Sequence, residues 1–175
     1  MPPPKHISGF SLAHRLYEQY ESGEHVDAAF SVGDRKLFLH KCMLCAASEE
    51  FRNIFRHQEN LGSLDPNTIS LPEETSLEAV KEFIVVIYFC EIDTTLEINL
   101  LLEVLSLCDK FLRDEFLDQC LIHVVENITK DNCAEICETH FVMPRCQVLF
   151  DVAWEYLKWS IIREQIGGTC DSKGI

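Results

Sequence analysis

Residues 26–55 read VDAAFSVGDRKLFLHKCMLCAASEEFRNIF, and the fold is decided within them. Val26, Ala28, Phe30 and Val32 alternate with Asp27 and Ser31, the period-two pattern of a strand with one face inward. Gly33-Asp34 follows, a two-residue loop suited to a hairpin because glycine accepts positive φ without steric penalty. A second apolar strand, Leu37 to Leu39, runs back from it. After His40 the period changes to about 3.6, with Leu44, Ala47, Phe51, Ile54 and Phe55 as the apolar positions. Ser48 precedes Glu49 and Glu50, so a hydroxyl cap and acids in the first turn can start a second short helix there. The local reading is a hairpin followed by two short helices.

Outward from this stretch the chain is mostly helical. Upstream, residues 1–7 read as a flexible leader. From about Ser8 to Ser22, Phe10, Leu12, Ala13, Leu16, Tyr17 and Tyr20 recur at helical spacing, and Gly23 offers a stop. Downstream, residues 57–67 (HQENLGSLDPN) are loop-like, and Thr68 to Leu71 reads as a short strand. Thr75 and Glu78 have the spacing of a capping box for a helix carrying Leu77, Val80, Phe83, Ile84, Ile87 and Tyr88, apolar on most sides and therefore central. A strand-like piece around Ile92 to Leu96 precedes a helix from Ile98 to Phe111, with Leu101, Leu102, Leu105 and Cys108 inward. Phe116, Leu117, Cys120, Leu121, Val124 and Val125 mark the next helix. From Ile128 a further helical pair is expected, with Thr129 as a cap and Pro144 in a first turn. Residues 161–175 end in GGTCDSKGI, polar and Gly-rich, and are expected to be disordered. The class is α+β.

The 175 residues suffice for one sizeable core with a helical annex. The longest apolar run, Phe83 to Cys90, is far too short to span a bilayer, and MPPPKHISGF lacks a secretory pattern. A cytoplasmic or nuclear protein is the working expectation. Twenty-nine acids against fifteen Lys and Arg give a net charge of −14. That balance opposes binding to nucleic acid, whose phosphates require cations, and suits solubility or a basic protein partner. Nine cysteines without an export signal read mostly as small buried hydrophobes.

Chemistry is scarce. His40, Cys42 and Cys45 include a C-x-x-C spacing, but no second ligand pair accompanies it; Cys133 and Cys137 are distant. A redox reading lacks its βαβ context. Cys42 after Lys41 and Cys146 after Arg145 are the only candidates for a cation-activated thiol. No phosphate loop or nucleophile motif is present, and Asn127-Ile-Thr129 is a sequon without an export route. No catalytic residue, metal or cofactor is expected.

Asp27 opening the hairpin, then F-L-H-K-x-x-L-x-A-x-S-x-x-F-x-x-x-F carried by Phe38, His40, Lys41, Leu44, Ala46, Ser48, Phe51 and Phe55, resembles the BTB (POZ) domain family. The resemblance implies a small three-stranded sheet flanked by helical hairpins, spanning residues 8–126. Ile128, Thr129, Asn132, Cys133 and Ile136 resemble the start of the helical extension, three-box or BACK-like, that follows BTB in cullin adaptors, and residues 127–160 are assigned to it. Kelch-like and MATH-containing members pair the first helix with its copy in a second subunit, which makes Phe10, Leu12, Leu16, Tyr17 and Tyr20 the implied homodimer face. Carried over by position, the implied contacts for the cullin-3 N-terminal domain are His57, Glu59 and Leu61 in the loop, Tyr88, and Leu112, Asp114 and Phe116. The chain departs from the family there: after Ile54-Phe55-Arg56-His57 it reads Gln58-Glu59-Asn60-Leu61, without the usual hydrophobic-x-Glu, and Leu61 is the substitute from a shifted loop. With no kelch, MATH or zinc-finger segment, the chain reads as the N-terminal part of something longer. Two functions are implied: a cullin-3 substrate adaptor, or an oligomerising scaffold or transcriptional module that recruits corepressors.

Overall fold

A computed structural model describes residues 12–93, 95–112, 121–139 and 147–167. The first helix, α1, spans Leu12–Ser22 and ends at Gly23, whose φ of +74° closes the last turn. Its expected first residues, 8–11, lie outside the described range.

Strands β1 (Ala28–Val32) and β2 (Arg35–Leu39) pair antiparallel across the Gly33-Asp34 turn, where Gly33 has φ +54°. A positive φ at the first central residue is what a type II′ hairpin turn requires, and glycine supplies it. Strand β3 (Thr68–Ser70) runs parallel to β1, giving the order β2-β1-β3. Val26 stays outside the strand, and Ala29 is as buried as Ala28. The central strand is covered on both sides, so strict alternation understates its burial.

Between β2 and β3 the chain makes α2 (Lys41–Ala47) and α3 (Glu49–Asn60). Ser48 separates them in an extended conformation, and its Oγ accepts from the Glu50 N–H at 3.0 Å. One residue thus ends one helix and caps the next.

The central helix α4 (Leu77–Phe89) buries nearly its whole circumference. Its cap differs from expectation: Ser76, not Thr75, is the N-cap, and its Oγ accepts from the Ala79 N–H at 3.1 Å. Thr75 is instead held in a turn by its own N–H bond to the Pro72 carbonyl. The Ser76 N–H is taken by Glu103 Oε2 at 2.9 Å, so a carboxylate from the next helix supplies what the capping-box glutamate would have given.

Among the described residues of Ile92–Leu96 no strand forms. Asp93 Oδ1 accepts from the Thr95 N–H at 2.8 Å and folds the segment into an Asx-type turn before α5 (Ile98–Phe111). Helix α5 buries Leu101, Leu102, Leu105 and Cys108, as its spacing indicated. Residues 121–126 form α6, and α7 (Cys133–Thr139) packs against α8 (Gln147–Gly167). The link from α6 to α7 is stitched by Asn132, whose side chain accepts from the Thr129 N–H and donates to the Asn127 carbonyl. Helix α8 continues past residue 160 to Gly167, because residues 161–166 (IIREQI) contain no helix breaker before the Gly pair. Pro144 lies outside the described residues.

The core is aromatic where sheet and helices meet. Phe51 of α3 stacks on Phe111 of α5, with centroids 5.1 Å apart and rings 12° from parallel. Phe30 of β1 and Phe83 of α4 complete the group, all four rings being buried. Ile136, Leu149 and Ala153 of α7 and α8 belong to the same continuous core.

Candidate protein–protein interfaces

Lys41 organises the end of α3. Its backbone N–H donates to Asp27 Oδ1 at 2.7 Å, and its Nζ reaches Glu59 Oε1 at 2.7 Å and Asn67 Oδ1 at 2.8 Å. The ammonium also lies 4.7 Å from the Phe55 ring centroid. Gln58 Nε2 donates to the Thr68 carbonyl at 2.9 Å, tying α3 to β3. Gly62, φ +65°, closes the helix, with the Ser63 N–H reaching back to the Gln58 carbonyl, a Schellman-type end.

That scaffold presents two leucines to solvent. Leu61 is 70% exposed and Leu64 fully so, beside exposed His57 and Glu59. Leu64 was not singled out in the sequence, although a leucine among Gly, Ser and Asp in a loop is itself a signal of an outward apolar residue. Tyr88 and Leu112 are elsewhere: both are buried in the core. The Tyr88 hydroxyl accepts from the His40 N–H at 3.2 Å and meets His40 Nδ1 at 2.6 Å, and burial pushes its pKa up to about 12. Asp114 and Phe116 lie outside the described residues.

Helix α1 is divided between two faces. Tyr17 turns inward onto Tyr88 and Phe89 of α4, and half-buried Tyr20 joins them. Burial, with Tyr20, Glu21 and Glu82 nearby, raises the Tyr17 pKa to about 12. Leu12, 73% exposed, and half-buried Leu16 are the implied dimer residues that remain available on the outside. Phe10 lies outside the described residues.

The thiols divide as well. Cys108 and Cys133 are buried, whereas Cys42 and Cys90 are exposed, contrary to the reading of cysteines as core hydrophobes. Burial raises the Cys45 pKa, against the opposing pull of Lys41 and Arg52, which disfavours its thiolate. Cys146 lies outside the described residues. Among the described residues no group of three His, Cys, Asp or Glu is placed to hold a metal ion, and no helix is long and apolar enough to cross a membrane. Helix α8 exposes Trp154, Tyr156, Trp159, Ile161 and Ile162, a second apolar surface that no sequence reading singled out.

No curated protein matches the chain. The family model for the BTB/POZ domain matches residues 16–128, from within α1 to the end of the α6 link, more than half the chain. The hairpin, the Ser48-separated helices and the central α4 all fall in that span, and the chain belongs to the BTB/POZ domain family, a family of protein–protein interaction modules.

Proposed function

We propose that this chain is a homodimeric substrate adaptor for a cullin-3 RING ubiquitin ligase. The observation that carries the reading is the pair Leu61 and Leu64, held out to solvent by a helix end that Lys41, Gln58 and Gly62 fix in place. A few apolar anchors on a rigid frame dominate most interfaces, so these leucines stand in for the hydrophobic residue missing from the usual motif. The α7–α8 pair, packed on the same core, supports the adaptor reading as a three-box or BACK-like extension. Dimerisation through the outer face of α1 would link two substrate sites and raise the effective concentration at the second.

Titration calorimetry against the cullin-3 N-terminal domain tests the proposal. Micromolar or tighter binding is expected, weakened strongly by Leu61→Asp with Leu64→Asp. Absence of heat at high concentration would reject it. One observation favours a second reading, an oligomerising scaffold or corepressor-recruiting module. Glu59, which lies in the last turn of α3 rather than in the expected loop, is already engaged by Lys41 of its own chain. That reading predicts self-association with no cullin binding.

A further inference from the structure

Strand β2 is an edge of the sheet. Its two-residue turn makes Val32 and Arg35 a facing pair, so Arg35, Leu37 and Leu39 turn their backbone groups toward β1. By alternation Lys36 and Phe38 direct their N–H and C=O groups away from the sheet, where no hydrogen-bond partner stands among the described residues. Alongside this edge runs a groove of about 650 Å³ between the end of α1, β2 and α4. Buried Tyr17 and half-buried Tyr20 and Leu37 form its floor, while exposed Lys36, Phe38 and Lys81 form its rim. Phe38 is 56% exposed, a large apolar side chain left uncovered beside open backbone groups.

We propose that this edge binds an extended acidic segment of a partner protein, added to the sheet as a further strand. Backbone addition to an open edge supplies affinity, and side-chain pockets at every second residue supply selectivity. Charge selects the occupant. In a chain of net charge −14, this short edge carries Arg35 and Lys36, with Lys81 across the groove. Lys36 is compensated by Asp65 at 2.6 Å, but Arg35 and Lys81 have no acidic partner among the described residues. Glu21 also lines the groove, so the segment's acid belongs against Lys81. A second copy of β2 is the poorer occupant, because antiparallel self-pairing about Leu37 sets Lys36 opposite Phe38 and brings no acid to Arg35 or Lys81. The segment is therefore one with an apolar side chain over Tyr17 and Tyr20 and an acid two residues later, on the same face.

Selection of phage-displayed random peptides on the full chain, followed by fluorescence anisotropy of the recovered peptides, tests this. The recovered sequences are expected to share apolar-x-acid spacing. Their affinity should fall about tenfold with Lys81→Glu, which sits on the exposed side of α4 and spares the core. Lys36→Pro deletes an outward N–H at an edge position that tolerates proline and should weaken binding similarly, while Leu61→Asp should leave it unchanged. Should Lys36→Pro fail to fold, Lys81→Glu decides alone. Recovery of no binder, of basic peptides, or of peptides indifferent to Lys81→Glu would overturn the proposal.

Discussion

At the scale of single residues, polar groups inside this molecule do most of the positioning. Tyr88 sends one hydroxyl from α4 to the His40 backbone and ring, holding the junction between β2 and α2. The other ring nitrogen, His40 Nε2, is buried with no hydrogen-bond partner among the described residues. Tyr88→Phe should cost about 1–3 kcal/mol in urea unfolding, since it strands buried partners rather than deleting a whole pair. Ser76→Ala should cost about 1 kcal/mol and Thr75→Ala next to nothing, a comparison that separates two adjacent candidates for one cap. Choosing between them from sequence was not feasible, because Glu103, which completes the cap, comes from another helix. Glu82 is buried, and burial followed by repulsion from Asp93 raises its pKa. A raised carboxyl pKa penalises the charged folded form. The penalty is absent below the unfolded-state value and grows as pH rises through the folded one. Glu82→Gln should therefore melt higher than the native chain at neutral pH, with the gap closing in acid.

Among the elements, those defined by local pattern were the legible ones. The hairpin turn, the Ser48 break and the all-round apolar α4 follow from glycine, a hydroxyl and periodicity, each within a few residues. The failures have tertiary or competing local causes. Asp93 captures the Thr95 backbone and turns an apparent strand into a bend, and α8 outruns its expected end because no helix breaker stands before the glycines. Tyr88 and Leu112, assigned by position to an interface, are buried because α4 and α5 need them in the core. Helix α1 carries the element-scale prediction. Leu12 is 73% exposed, so Leu12→Asp should leave the melting temperature nearly unchanged while reducing the light-scattering mass from two chains to one. A persistent dimer in Leu12→Asp combined with Leu16→Asp would remove α1 as its interface. At the centre, Phe51→Ala should cost about 3–5 kcal/mol by emptying the space against Phe30, Phe83 and Phe111.

For the whole molecule, the charge of −14 and the exposed apolar residues work together. Mutual repulsion keeps an acidic chain dispersed, while Leu61 and Leu64, the α8 face and the β2 edge stay available to partners. The family resemblance implied the loop and the first helix as surfaces. It missed Leu64, Phe38 and α8, because exposure of an apolar residue is settled only when the rest of the chain fails to cover it. A two-fold arrangement through α1 would repeat each surface once per subunit. Size-exclusion chromatography with light scattering, run on the chain mixed with the cullin-3 N-terminal domain, tests adaptor and dimer together. The account predicts one peak containing two 20.1 kDa chains and two cullin domains; separate elution of the cullin domain from a single-chain species would contradict it.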